Sequence, residues 1–210
     1  AESVDVERLG HCKDQLILAL QNLPATPADG SSDDAARTQS IVKCTFDRDH
    51  CGESVRIQDD RTVAFNGHST VLLAHSLLEG TGTWLVDVKC LAGGNALVGA
   101  ATEDYDVNTY LGDAPGGHGL FARGGVRANR TWSRPNLTHA DTGFKEGDIL
   151  RVEVNTDNRT LLMLKNGSPV HEEVDVPIPC RFALGGSSGG KFQLVSDHLQ
   201  TVVSMDVAKL

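Results

Sequence analysis

The chain has 210 residues, and 28 acidic against 19 basic side chains give it a formal net charge of −9 at pH 7. A chain of this length buries enough apolar surface to fold as one ordinary domain without disulfides or metal ions. The acidic balance argues against binding to a nucleic-acid backbone, and no run approaches the roughly 18 apolar residues of a membrane-spanning helix.

The first predicted element is an amphipathic helix over residues 4–23. Its apolar side chains recur every three or four residues, at Leu9, Cys12, Leu16, Leu20 and Leu23. Pro24 ends it, and residues 24–40 are small, polar and rich in Pro, Asp and Ser, which is typical of a linker. The helix either packs across a domain edge or is the end of a coiled coil of a longer chain. We therefore divide the chain into a helix and linker at 1–40 and a second domain at 41–210.

Short alternating runs separated by turn residues begin at residue 41 and predict about ten or eleven strands. The predicted strands cover 41–46, 54–58, 62–65, 70–74, 84–90, 96–101, 149–155, 160–165, 180–184, 191–195 and 201–207. A long stretch from 102 to 147 reads as irregular. Asn166-Gly167 predicts a tight hairpin, because both residue types tolerate positive φ.

The alternation within two of these strands predicts which face is buried. In 84–90 the side chains of Trp84, Val86, Val88 and Cys90 share one face, and in 149–155 those of Leu150, Val152 and Val154 do. Many strands joined by short turns, without crossover helices, pair antiparallel and pack as two layers. The expected fold is an all-β, two-sheet antiparallel sandwich.

The order of motifs along this sandwich resembles that of the SPRY domain. The matching segments are 82–88 (GTWLVDV), 98–101 (VGAA), 110–112 (YLG) followed by 119–120 (GL), 144–149 (FKEGDI) and 161–167 (LLMLKNG). His118 stands where the family usually has Trp, and Met163 where it usually has Phe. Residues 45–65 are similar to the strands that often precede this domain.

The resemblance implies a twisted sandwich that binds a peptide or protein surface through its loops and performs no catalysis. A helix such as 4–23 also precedes this domain in ubiquitin-ligase and adaptor proteins. Neither a RING-type Cys/His array nor a ligase-recruiting box occurs in the sequence, so the resemblance implies a recognition part alone.

A separation of charge inside the 102–147 stretch supplies the candidate binding residues. Glu103, Asp104, Asp106 and Asp113 come first, and no further acid appears before Asp141. Arg123, Arg127, Arg130 and Arg134 accumulate around Trp132. Arg and Trp are enriched at interface hot spots. The two charge clusters either neutralise one another across adjacent loops or serve a partner.

Two tyrosines lie in the loop after the small-residue strand, where the family's recognition loops commonly lie. We expect Tyr105 and Tyr110, together with Trp132, to supply apolar anchors, although either tyrosine could equally cap the core edge. Arg123, Arg127 and Arg130 would pair with acidic groups of the partner. The predicted protein-binding set is Thr102, Glu103, Asp104, Tyr105, Tyr110, Arg123, Arg127, Arg130 and Trp132.

Other chemistries fit the sequence less well. Cys44, His50 and Cys51 lack the spacing of zinc fingers, and no nucleophile elbow or phosphate-binding glycine loop occurs. We therefore predict no catalytic residue, no metal and no cofactor. The leading alternative is a lectin-like or glycan-hydrolysing sandwich using paired acids such as Glu103 and Asp106 or Glu172 and Glu173. A further alternative is a structural subunit that contacts a larger assembly through residues 4–23.

The cysteines and the first residues predict the compartment. Five widely spaced cysteines are an odd number, and residues 1–20 carry charges where a signal peptide needs an apolar run. We expect reduced thiols and a cytoplasmic protein. Asn-x-Thr triplets at Asn129, Asn136 and Asn158 would favour secretion if they were glycosylated.

Overall fold

The computed structural model describes residues 42–137 and 142–202, the last two by their backbone alone. The helix predicted at 4–23, its linker and most of the strand predicted at 201–207 lie outside the described residues. Within the described ranges the secondary structure is entirely strand and turn, and no helix there could cross a membrane.

The described residues form strands in the following order: β1 Phe46–Cys51, β2 Val55–Ile57, β3 Thr62–Phe65, β4 Ser69–Leu73, β5 Thr83–Ala92, β6 Ala96–Thr102, β7 Gly117–Phe121, β8 Gly125–Ala128, β9 Thr131–Ser133, β10 Ile149–Asn155, β11 Thr160–Lys165, β12 Ser168–Glu173, β13 Cys180–Gly186, β14 Lys191–Leu194 and β15 Gln200–Val202. All pairings between them are antiparallel.

These strands form two sheets, as predicted. Sheet I has the order β1-β4-β13-β6-β7-β8-β9, and sheet II has the order β12-β11-β10-β5-β14-β3-β2. Strand β15 also pairs with β5, at the Thr83 end, where β14 no longer covers it. The two-sheet antiparallel sandwich is confirmed.

The core lies between the sheets and is built by the alternation seen in the sequence. Trp84 faces Val154, and Val86 faces Val152, across the β5–β10 pair. The side chain of Val152 is fully buried, as is that of Met163 opposite it on β11. The inward faces predicted for β5 and β10 are confirmed, and burying each large apolar side chain contributes about 1.5–3 kcal/mol.

A second, smaller cluster covers the outer side of sheet I. It joins Leu72, Leu97, Ala101, Tyr105, Tyr110, Leu111 and Ala183. The loop from residue 103 to residue 116 supplies the tyrosines and Leu111, and it lies across β6 and β13. Strand β6 is therefore buried on both faces, which explains its run of small residues at 98–101.

The 102–147 stretch is less irregular than predicted, because it contains β7, β8 and β9. Strand β7 shows no alternation of apolar and polar side chains, because two of its five residues are glycine. Strand β9 has no buried residue and therefore no apolar alternation either. Strand β12 was also missed, and β1 begins at Phe46 and not at residue 41.

Candidate functional site

The two tyrosines of the predicted site hold the 103–116 loop onto sheet I. Tyr105 is 5% exposed; its hydroxyl donates to the carbonyl of Tyr110 at 2.7 Å and accepts from the backbone N–H of Gly112 at 2.8 Å. Tyr110 is 6% exposed and donates to the carbonyl of Asn95 at 2.6 Å. Burial raises the pKa of Tyr110. Both tyrosines are buried at the edge of the core, which is the second of the two roles that the sequence left open, so neither is an exposed anchor.

Within the described residues, the acids of the predicted site, Glu103 and Asp104, form no ion pair with Arg123, Arg127 or Arg130. Thr102 ends β6, and its N–H donates to the carbonyl of Gly116 at 3.1 Å. Glu103 lies 3.6 Å from Nε of Arg181, which also pairs with Asp47 at 2.6 Å. Asp104 is exposed. Strand pairing explains this arrangement, since β13 is the neighbour of β6 in sheet I.

One acid of the loop does reach the basic cluster. Asp113 forms an ion pair with Nε of Arg127, and the side chains of both residues are largely buried. The guanidinium carbon of Arg127 lies 4.7 Å from the ring centroid of Trp132. Cation–π contacts of this kind contribute about 0.5–1 kcal/mol at exposed sites. Asp113 thus fixes the cation that in turn orients Trp132.

The indole of Trp132 is exposed yet held on two sides. Its ring lies 5.2 Å from that of Phe121 in an edge-to-face arrangement, and 46% of the residue is exposed. Phe121 in turn contacts Tyr110, with 6.2 Å between the ring centroids. A row of rings therefore runs from the buried loop cluster to the surface of β9. Phe121 belongs to the site and was missed; its only sequence signal is that it follows the inward-facing Leu120.

Three further arginines lie near Trp132 in the sequence and have no acidic counterpart among the described residues. Arg123 lies in the β7–β8 turn, Arg130 in the β8–β9 turn and Arg134 just after β9, and all three are exposed. No carboxylate in the ranges 42–137 and 142–202 forms an ion pair with any of them. We call Phe121, Arg123, Arg127, Arg130 and Trp132 the basic aromatic surface.

The buried cysteines are poorly suited to nucleophilic chemistry. Burial raises the pKa of Cys44 to about 12 and that of Cys180 to about 12, so both thiols stay protonated at neutral pH. Both belong to the hydrophobic core between the sheets. Cys44 is therefore a small residue of the core and not a candidate nucleophile.

Solved structures of SPRY domains have the same fold. The SPRY domain of human HERC1 aligns with a TM-score of 0.59 at 17% identity, over 71% of this chain and 96% of the HERC1 chain. A human SPRY domain aligns with a TM-score of 0.56 at 16% identity, over 68% of this chain and 94% of its own. The TRIM65 PSpry domain aligns with a TM-score of 0.59 at 13% identity, over 73% and 92%. No protein-family model and no curated protein matches the sequence. The sandwich has the SPRY fold that its motifs predicted.

Proposed function

We infer that this chain is a non-catalytic protein-interaction module, which holds an acidic segment of a partner protein on the basic aromatic surface. It would serve as the substrate- or partner-recognition part of an adaptor or ubiquitin-ligase assembly in the cytoplasm. The SPRY fold of the sandwich supports an interaction role.

The observation that carries this proposal is the exposed, oriented indole of Trp132. Trp132 is 46% exposed, and an exposed side chain normally loses rotamer freedom on binding. Here Arg127 and Phe121 already hold it. Binding an apolar side chain against Trp132 therefore costs little side-chain entropy, as is usual for interface hot spots.

The charge around the ring specifies the partner. Arg123, Arg130 and Arg134 are exposed cations on a chain whose net charge is −9, so this surface differs in sign from the molecule as a whole. An acidic segment is attracted here and repelled elsewhere, which favours one docking position.

Affinity purification from the native source, with the full chain as bait and mass spectrometry as readout, tests the role of the ring. We expect Trp132→Ala to reduce capture of specific partners about thirtyfold, the effect of losing a hot spot worth about 2 kcal/mol. Val174→Ala is the matched control, since Val174 is 61% exposed elsewhere on the surface. Equal capture by wild type and Trp132→Ala contradicts the proposal.

Binding kinetics with a captured partner test the arginines. Charge reversal by Arg123→Glu and Arg130→Glu should slow association, and added salt should slow wild-type association in the same way. Arg56→Glu is the control, because Arg56 is exposed on β2 in the other sheet. Association that is insensitive to salt removes the arginines from the mechanism.

Two further measurements separate the alternatives drawn from the sequence. Reproducible, saturable binding on a glycan array would favour a carbohydrate-binding sandwich. Loss of all partners on deletion of residues 1–40, with the unfolding transition of the sandwich unchanged, would favour a structural subunit that assembles through the N-terminal segment.

A further inference from the structure

A cavity of about 350 Å³ opens beside the basic aromatic surface. It lies between the β7–β8 turn, the chain that leads into β10 and the β11–β12 turn. Arg123, Lys145 and Lys165 are among its lining residues, with Asp148 as the carboxylate that the described residues contribute. Its size is within the range of small-molecule sites, about 300–1,000 Å³.

The carboxylate of Asp148 accepts hydrogen bonds from other residues that line this cavity. Its Oδ2 accepts from the backbone N–H of Lys145, and its Oδ1 accepts from Nδ2 of Asn166, both at 2.9 Å. Burial pushes its pKa up, but these hydrogen bonds and the charges of Lys165 and Lys145 outweigh that effect and hold the pKa below its usual value. Asp148 therefore stays ionised and positions the loop.

The remaining wall is also held in place. The N–H of Phe144 donates to the carbonyl of Ala122 at 2.8 Å, and Nζ of Lys165 donates to the carbonyl of Gly143 at 2.8 Å. Arg123 and Lys145 line the cavity and are exposed, so both cations are accessible from solvent. The cavity thus has a polar wall held by hydrogen bonds, and two of its lining residues are solvent-exposed cations.

The cavity and the basic aromatic surface share one residue. Arg123 belongs to both. A Cβ added to Gly124 would lie 2.9 Å from Oγ1 of Thr142, and one added to Gly125 would lie 3.6 Å from the ring of Trp132. Arg123 lines the cavity, and Gly125, two residues later at the start of β8, lies beside the indole. Two residues of extended chain span at most about 7 Å, so a short extended peptide covers this separation.

We propose that this cavity binds a phosphoryl group carried by the partner peptide that the basic aromatic surface holds. The inference rests on the proposed function. A phosphorylated side chain carries a charge of about −1.5 to −2 at neutral pH and three acceptor oxygens. That charge matches the two exposed cations, Arg123 and Lys145, better than the single charge of a carboxylate does.

The first test titrates the ¹⁵N-labelled full chain with N-acetyl-O-phosphoserine amide and, separately, with N-acetylglutamate amide and inorganic phosphate. The phosphoserine derivative should shift the backbone signals of Lys145 and Asn166 and bind about tenfold more tightly than the glutamate derivative. Arg123→Gln and Lys145→Gln should each weaken it about tenfold, and Arg56→Gln should not. Equal binding of both derivatives, or binding that neither cavity variant weakens, overturns the inference.

The second test separates this inference from the proposed function. A degenerate peptide library is presented with and without a central phosphoserine to wild type, Lys145→Gln and Trp132→Ala. Selection that needs both Trp132 and the phosphate, and weakens with Lys145→Gln, supports both proposals. Selection that needs Trp132 but ignores the phosphate overturns the cavity and leaves the proposed function standing. Phosphoserine binding that ignores Trp132 supports the cavity and counts against the basic aromatic surface as the peptide site.

Discussion

Gly99, in the middle of β6, has a packing role that one methyl group can test. A Cβ built on Gly99 would lie 1.9 Å from the carbonyl oxygen of His118 and 3.0 Å from Cα of Gly119, both on β7. Carbon–oxygen contacts in sheets lie at about 3.3 Å or more, so β7 would have to move by roughly 1.4 Å. Backbone atoms cannot swing aside as side chains do.

The cost of Gly99→Ala should therefore lie at the upper end of overpacking, about 3 kcal/mol. For a chain of this size that is a fall of about 6–12 °C in the midpoint of thermal unfolding. Strands β7, β8 and β9 are consecutive neighbours in sheet I, so the displacement also reaches Trp132 on β9.

Thermal and urea unfolding of the full chain, followed by circular dichroism, measure this cost. Gly125→Ala is the matched control on β8, since its added Cβ would make only ordinary contacts at 3.6 Å. Restricting the unfolded chain should keep the control within about 1 kcal/mol of wild type. Midpoints for the two variants within about 3 °C of each other would refute the argument that a close backbone approach selects glycine at position 99.

Three further predictions concern buried groups. Trp84 is 8% exposed, and its Nε1 donates to Oγ1 of Thr81 at 2.9 Å. Trp84→Ala should therefore lower the free energy of unfolding in urea by about 3–5 kcal/mol, and a loss below about 1 kcal/mol would contradict its core position. Burial lowers the pKa of His118 from its ordinary 6.5, with Glu173 opposing the shift and His171 adding to it. Its contribution to stability is therefore complete above that pH and lost as pH falls below it, and His118→Leu should flatten the dependence of the urea midpoint between pH 7 and pH 5. Because burial raises the pKa of Cys180 to about 12, iodoacetamide at pH 7.5 should modify Cys180 only when the protein unfolds, as peptide mass spectrometry will show.

The regular strands of sheet II could be predicted from sequence because their side chains alternate between core and surface. Val152 and Val154 are buried, while Glu153 between them is only partly so. The hairpin at Asn166-Gly167 follows equally directly, since both residues have positive φ, 50° and 81°. The strands of sheet II and this hairpin are therefore determined by residues that are neighbours in the sequence.

The strands around the candidate site were harder to predict because their constraints come from outside the strand. Gly119 on β7 packs its Cα under the side chains of Leu97 and Leu111, which lie on β6 and in the 103–116 loop. When the side chains that require a glycine are distant in the sequence, the sequence alone predicts that glycine to lie in a loop. The burial of Tyr110 also depends on a distant part of the chain, because its hydroxyl donates to the carbonyl of Asn95 in the β5–β6 turn.

The charge pattern shows most clearly where proximity in sequence misleads. Glu103 lies in the same irregular stretch as the arginines, yet the pairing of β6 with β13 brings it to Arg181. Among the described residues, the acid that pairs with the cluster is Asp113, and its partner is Arg127. Arg123, Arg130 and Arg134 are exposed and form no ion pair within residues 42–137 and 142–202. Exposed cations attract acidic groups of a partner more than they stabilise the free chain, so the proposed function assigns these arginines, with Trp132 beside Arg127, to binding.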